Sequence, residues 1–89
     1  MNKYPTEEEL QKLQDWDVVE DLKGFIEYLE SLWNINYGIF EIWGNNLKLV
    51  TGGWSGNEDI INHLPSMFNM LYWEKSERGG LHLFEKIKF

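Results

Sequence analysis

Between Val18 and Trp33 apolar residues return at spacings of three and four positions, the period of an α-helix with one buried face. The period then changes, because aromatic and β-branched residues fill positions 37–43 and a second short apolar run follows at 47–51. The Gly-Asn-Asn sequence at 44–46 is typical of a tight turn, so the two runs predict a β-hairpin. The chain therefore combines a helical N-terminal part with a sheet.

Capping patterns define two helices before the hairpin. Thr6 and Glu9 have the spacing of a capping box, which predicts a short helix that ends near Asp15. Asp17 and Glu20 have the same spacing, so we expect the main helix to begin at Asp17.

A third helix and a second hairpin are expected after the first. Asn57 is a good N-cap for a helix that ends near Leu64 or restarts beyond Pro65 as a short turn. Residues 68–75 and 81–89 alternate in the manner of strands, with a glycine-containing turn between them.

These elements predict an α+β fold, with an N-terminal helix or helices followed by hairpin, helix and hairpin. About four antiparallel strands would carry the helices on one face. At 89 residues the chain is expected to be a single domain, with an acidic helical region at 1–33 and a ββαββ region at 34–89. The absence of cysteine excludes a disulfide scaffold, a thiolate zinc site and a cysteine nucleophile.

The acidic charge is concentrated in the helical region. Fifteen acids and eight bases give a net charge of −7. Residues 1–33 hold nine acids and three lysines, which makes −6, and residues 34–89 hold six acids and five bases, which makes −1. We therefore expect no direct nucleic-acid binding through a basic face and no anionic membrane partner. Glu20, Glu27 and Glu30 form a candidate acidic partner face, with a solvated helix surface and nucleic-acid mimicry as the alternatives.

The glycine-rich connection at 51–58 is the most specific local pattern, and two chemical interpretations compete with a structural one. Ser55 resembles the serine of a nucleophile elbow, but Asn57 stands where that pattern needs glycine, so we expect no catalytic residue and no enzyme. Backbone N–H groups of the loop at 52–57 could instead bind a small anionic ligand or nucleotide, with Arg78 supplying a cation. In the structural interpretation the glycines only permit a tight turn. The candidate ligand or partner residues of the two glycine turns are Gly53, Trp54, Ser55, Asn57, Trp73 and Arg78.

Metal and cofactor binding are not expected. Asp59 and His63 are four positions apart and His82 could join them, but no metal-binding motif connects the three. No apolar run reaches the ~18 residues of a membrane span, and no signal-peptide pattern opens the chain. We therefore expect a cytoplasmic protein. The resemblance described next implies that the cell is a bacterial host.

The sequence TGGWSGNED at 51–59, followed by Trp73, Ser76, the Arg-Gly-Gly at 78–80 and the Phe-Glu at 84–85, resembles a pattern in small bacteriophage and prophage proteins. The likeness covers about residues 51–85. In the pattern an aromatic-rich stretch with histidine directly follows the glycines, whereas here Leu81 intervenes before His82. The likeness implies a phage origin without specifying any chemistry, and it implies that the two glycine turns lie together in one cluster.

We therefore expect a small phage-type binding protein that is not an enzyme and that contacts a host or phage protein. An inhibitor of a host defence or nucleic-acid-handling complex is one version of this hypothesis. The alternatives are a small anionic ligand or nucleotide-binding protein that uses the loop at 52–57, and a virion structural or assembly protein. Unprotected strand edges also leave a homodimer open.

Overall fold

The computed structural model describes residues 4–89 and has the expected α+β fold. Over that range the helices are α1 (Glu7–Gln14), α2 (Leu22–Leu32), α3 (Ser55–Asn62) and α4 (Ser66–Tyr72). The strands are β1 (Ile39–Trp43), β2 (Asn46–Val50), β3 (Trp73–Glu77) and β4 (Leu81–Phe84). The hairpin predicted around residues 44–46 is confirmed, with Trp43 opposite Asn46.

The strands form one antiparallel sheet in the order β1-β2-β4-β3. Because side chains alternate along a strand, Leu47 and Leu49 of β2 point to the same face, where both are fully buried. Phe84 lies opposite Leu47 and belongs to this face too. On the other face Lys48 forms an ion pair with Glu41 of β1, at 3.8 Å. One face of the sheet thus supports the core and the other carries a charged pair.

The helices bury their apolar faces against the core face of the sheet. Phe68 of α4 is at the junction, because its ring centroid is 4.9 Å from that of Phe25 in α2 and 4.9 Å from that of Phe84 in β4. Such ring pairs stabilise a small core beyond the area that they bury. The residues below 3% exposure that join these rings are Leu13, Val18, Leu29, Leu47, Leu49, Ile60 and Ile87.

The first helix begins as its sequence predicts, whereas the second does not. Thr6 and Glu9 form the capping box, each side chain accepting from the backbone N–H of the other. The expected start of the main helix at Asp17 is wrong, because Asp17 caps a separate turn through bonds to the N–H groups of Val19 and Glu20. Asp21 is the N-cap of α2 and accepts from the Gly24 N–H.

The expected strand at 68–75 is wrong over most of its length, because residues up to Tyr72 form α4. Pro65 provides the N-cap position, where its missing N–H costs nothing, so the chain restarts a helix after the proline. Phe68 and Tyr72 are four positions apart and contact each other, which is helical spacing.

Two further boundaries differ from expectation. The N-cap of α3 is Trp54 rather than Asn57, which lies inside the first turn of the helix. β4 ends at Phe84 rather than at Phe89, because Lys86 adopts a positive φ of 63° that breaks the extended backbone. The chain beyond β4 then returns to the first hairpin, where the Ile87 N–H donates to the Asn45 carbonyl.

Candidate functional site

The two glycine turns do meet. The Thr51 N–H at the end of β2 donates to the Gly80 carbonyl over 3.0 Å. A Cβ on Gly80 would collide with the Thr51 side chain, so the backbone approach needs glycine there. Thr51 is itself buried. The first glycine turn is therefore fastened to the second by backbone contact.

Asn57 holds the first glycine turn from the inside. Its Nδ2 donates to the carbonyls of Asn34 and Thr51, and its Oδ1 accepts from the Asn34 N–H. The side chain is fully buried, and both of its N–H donors are used. Asn57 thus connects the end of α2 to the end of β2, and its polar atoms face protein backbone rather than a ligand.

Trp54 packs among tyrosines of its own chain. Its ring is nearly parallel to that of Tyr37, at a centroid distance of 5.4 Å, and lies 4.7 Å from that of Tyr4. The neighbouring Ser55 is exposed, and its hydroxyl lies 3.4 Å from the Tyr4 hydroxyl. Gly53 is exposed as well, and its N–H donates to the Thr51 hydroxyl. The rings around Trp54 occupy the position that a stacked base would need.

The expected cluster of both glycine turns with Trp73 is not formed. Arg78 is exposed in the turn after β3, next to the Thr51–Gly80 contact. Trp73 is at the opposite end of β3, where it pairs with Phe84, so about 13 Å of extended strand separates it from Glu77 at the turn. The length of β3 therefore keeps Trp73 away from the glycine turns, with which it was expected to cluster.

A groove of about 540 Å³ opens beside Trp73, between α4 and the β3–β4 hairpin. We call it the Trp73 groove. Its apolar wall includes Phe84, which is fully buried, and Met70, which is 76% exposed at the surface. The remaining residues that line it are Ile61, Leu64, Ser66, Asn69, Ser76 and His82.

A chain of hydrogen bonds orders the polar side of this groove. The Trp73 Nε1–H donates to Ser76 Oγ over 2.9 Å, and Ser76 Oγ is 2.8 Å from His82 Nδ1. With the Trp73 N–H as donor, the Ser76 hydroxyl accepts that bond and donates its own proton to Nδ1, which places the proton of neutral His82 on Nε2. Ser76 and His82 are directly opposite each other in the β3–β4 register, which explains how the pair forms.

Burial lowers the pKa of the His82 imidazole below its usual value, and the nearby Glu58 carboxylate partly offsets this by favouring the cation. His82 is therefore neutral at pH 7. A serine beside a neutral histidine is the beginning of a nucleophilic pair. Here the Trp73 Nε1–H already donates to the oxygen that would attack.

The sequence offers His82 only as a third candidate metal ligand, and Ser76 is not among the predicted site residues. One signal could have found both. A three-residue turn at 78–80 puts residues 77 and 81 opposite each other and makes 76 and 82 the next pair.

The three acidic candidates do not share one helix. Glu27 and Glu30 are exposed on α2, three positions apart, and so occupy one side of it. Glu20 is exposed in the turn before Asp21 caps the helix. The proposed acidic face is therefore split between a helix and the turn that precedes it.

An apolar surface that the sequence did not predict covers the outer side of α4. Met67, Met70 and Leu71 have the i, i+3, i+4 spacing of one helix face, yet each is at least 44% exposed. Trp73, which follows the helix, is 53% exposed. We call Met67, Met70, Leu71 and Trp73 the α4 surface.

Comparison with protein-family models, with curated proteins and with solved structures finds no match to this chain. Among residues 4–89, no group of three or more His, Asp or Glu side chains is placed to hold a metal ion. In the same range, every helix is too short or too polar to cross a bilayer.

Proposed function

We propose that this chain is a small, non-enzymatic protein-binding domain of phage type, acting in the bacterial cytoplasm on a host or phage protein through the α4 surface. The observation that carries the proposal is the apolar stripe of Met67, Met70 and Leu71, exposed on a helix whose opposite side already fills the core. Exposed apolar residues that adjoin one another on a soluble domain commonly mark interaction sites.

The side chains of this surface suit recognition of another protein. Methionine is flexible and polarisable, so it adapts to an apolar partner, and tryptophan is enriched among the residues that dominate binding energy. The partner that fits is an apolar segment of another protein. Inhibition of a host defence or nucleic-acid-handling complex by occupying such a segment is the concrete form of the proposal.

A variant with Met67→Glu and Leu71→Glu tests the α4 surface. Both side chains are exposed and lie outside the Trp73 groove, so the fold and the groove should remain intact. Immobilised wild-type protein should capture a partner from host lysate, and the purified partner should bind the variant at least about tenfold more weakly, because charges replace its central apolar contacts. Calorimetry measures both affinities.

The matched control is Glu27→Lys with Glu30→Lys, which also changes two exposed residues of one helix and tests the acidic-face hypothesis. Binding that survives the α4 variant but fails in this control would transfer the partner site to the acidic residues. A partner that binds both variants as tightly as wild type would overturn the proposal. Detection of the protein in purified phage particles would instead favour the virion alternative.

A further inference from the structure

The Trp73 groove has the size of a small-molecule site. Its volume of about 540 Å³ is within the range of roughly 300–1,000 Å³ that is usual for ligand pockets. None of the described residues that line it is Asp, Glu, Lys or Arg. His82, the one lining residue that could carry a charge near neutral pH, is kept neutral by its partial burial. An anionic ligand would lose its hydration there without gaining a positive counter-charge, and the Glu58 carboxylate near His82 would repel it.

The walls favour a flat, unsaturated molecule. The hydrogen bond to Ser76 holds the Trp73 indole in place, so a ring that packs against it does not have to immobilise it first. Met70 supplies an exposed thioether, which makes favourable contacts with aromatic rings, and the buried Phe84 lies behind this wall.

The polar side of the groove calls for a neutral hydrogen-bonding group. With Nδ1 engaged by Ser76, His82 has its Nε2 for further bonding, and no hydrogen bond joins that nitrogen to another described residue. The Ser66 hydroxyl and the Asn69 carboxamide border the same groove. A carbonyl or carboxamide matches these donors, because it accepts hydrogen bonds without bringing a charge.

From the shape, the uncharged lining and the ordered polar chain, we infer that the Trp73 groove is a binding site for a small uncharged aromatic molecule that carries a carbonyl or carboxamide. The groove shares Met70 and Trp73 with the α4 surface, but its other lining residues lie outside that surface, and Met67 and Leu71 lie outside the groove. The groove is separate from the loop at 52–57, where the anionic ligand was expected.

Benzamide is the first probe, and its titration into ¹⁵N-labelled protein is followed through the indole N–H signals of the five tryptophans. We expect saturable movement of the Trp73 signal with a Kd on the order of 1–10 mM, which is usual for so small a ligand. Benzoate tests the effect of charge, and cyclohexanecarboxamide tests the effect of the aromatic ring. Each should bind at least about fivefold more weakly than benzamide.

Trp73→Ala is the site variant and Trp43→Ala its control, because both tryptophans are about half exposed and they belong to opposite edge strands of the sheet. Because Trp73→Ala removes the indole signal, binding to both variants is followed through the backbone amide signals of Ser76 and His82, which also line the groove. Benzamide should bind the first variant at least about fivefold more weakly and the second as wild type. The spectrum of each variant reports whether it is folded, and His82→Gln provides a second substitution in the groove.

Three results would overturn the inference: no saturable movement of the Trp73 signal up to the solubility limit of benzamide, equal affinity for benzoate, or equal affinity for cyclohexanecarboxamide. Met67→Glu with Leu71→Glu keeps the groove residues and should retain benzamide binding. Failure of the small-molecule site is therefore distinguishable from failure of the proposed protein-binding function.

Discussion

The first glycine turn and the Trp73 groove use their polar groups in opposite ways. In the turn, Asn57 is fully buried and directs all its hydrogen bonds at the backbone of its own chain. In the groove, Ser76 and His82 bond to each other on a surface that remains open. The turn is the more conspicuous in the sequence. A specific local pattern thus serves packing here, while the candidate binding groove is formed by ordinary residues that the fold brings together.

The largest expected effect comes from the turn. Asn57→Ala removes three hydrogen bonds and leaves the Asn34 N–H and two carbonyls without the partner that they have in the buried site. We expect it to lower the free energy of unfolding by about 2–4 kcal/mol. Urea denaturation measures the change.

Ser55→Ala is the control for this experiment, because Ser55 belongs to the same turn but is exposed. It should alter the free energy of unfolding by less than about 0.5 kcal/mol. If Asn57→Ala lowered the free energy of unfolding by as little as Ser55→Ala, the polar groups of the turn would not stabilise the fold. The ligand interpretation of these groups would then be favoured.

A smaller loss is expected at the contact between the two turns. Gly79 and Gly80 both have positive φ, at 88° and 80°. A Cβ on Gly80 collides with Thr51, whereas one on Gly79 meets open space. We expect Gly80→Ala to lower the free energy of unfolding by about 2–3 kcal/mol and Gly79→Ala by about 1 kcal/mol, the backbone term that both share.

Thermal or urea unfolding of the two alanine variants separates these contributions. Equal losses in the free energy of unfolding for the two variants would mean that the contact between the turns does not stabilise the fold. The larger loss at Gly80 would show that the meeting of the turns stabilises the fold.

The smallest expected effect is the pH dependence that His82 gives to the free energy of unfolding. Because its pKa is lower in the folded protein than in the unfolded chain, the unfolded state binds the proton more readily. The stability contribution of neutral His82 is therefore present above the unfolded value of about 6.5 and is lost as the pH falls through the folded pKa.

His82→Gln should remove this part of the decline in stability on acidification. An NMR titration of the His82 ring in the wild-type protein measures the pKa directly. A value above 6.5 would contradict the neutral imidazole on which the uncharged character of the groove depends.

The parts of the fold that follow from short-range chemistry could be predicted from the sequence. Thr6 and Glu9 define the first helix by themselves, and the turn at 44–46 defines the first hairpin. The start of the second helix cannot be read from the sequence, because Asp17 and Asp21 are both capping residues and only the packing decides which of them begins a helix.

The failure at α4 has a different physical origin. Phe68, Met70 and Tyr72 alternate as in a strand, while Phe68 and Tyr72 also have helical spacing, and a short apolar run does not distinguish the two. Methionines occupy exposed positions of α4 where an amphipathic helix usually has polar residues, so the sequence lacks the usual helical pattern. The exposed apolar side chains that hid the helix in the sequence are the same ones that make the α4 surface a candidate for binding.

The order β1-β2-β4-β3 has a consequence for how the protein is made. Because β4 lies between β2 and β3, those two strands have no common partner until residues 81–84 have been synthesised. On the ribosome, the first hairpin therefore waits with one edge unpaired while α3, α4 and β3 are added. Chains cut before Leu81 would lose the connection between the two halves of the sheet, because residues 81–84 pair with both β2 and β3.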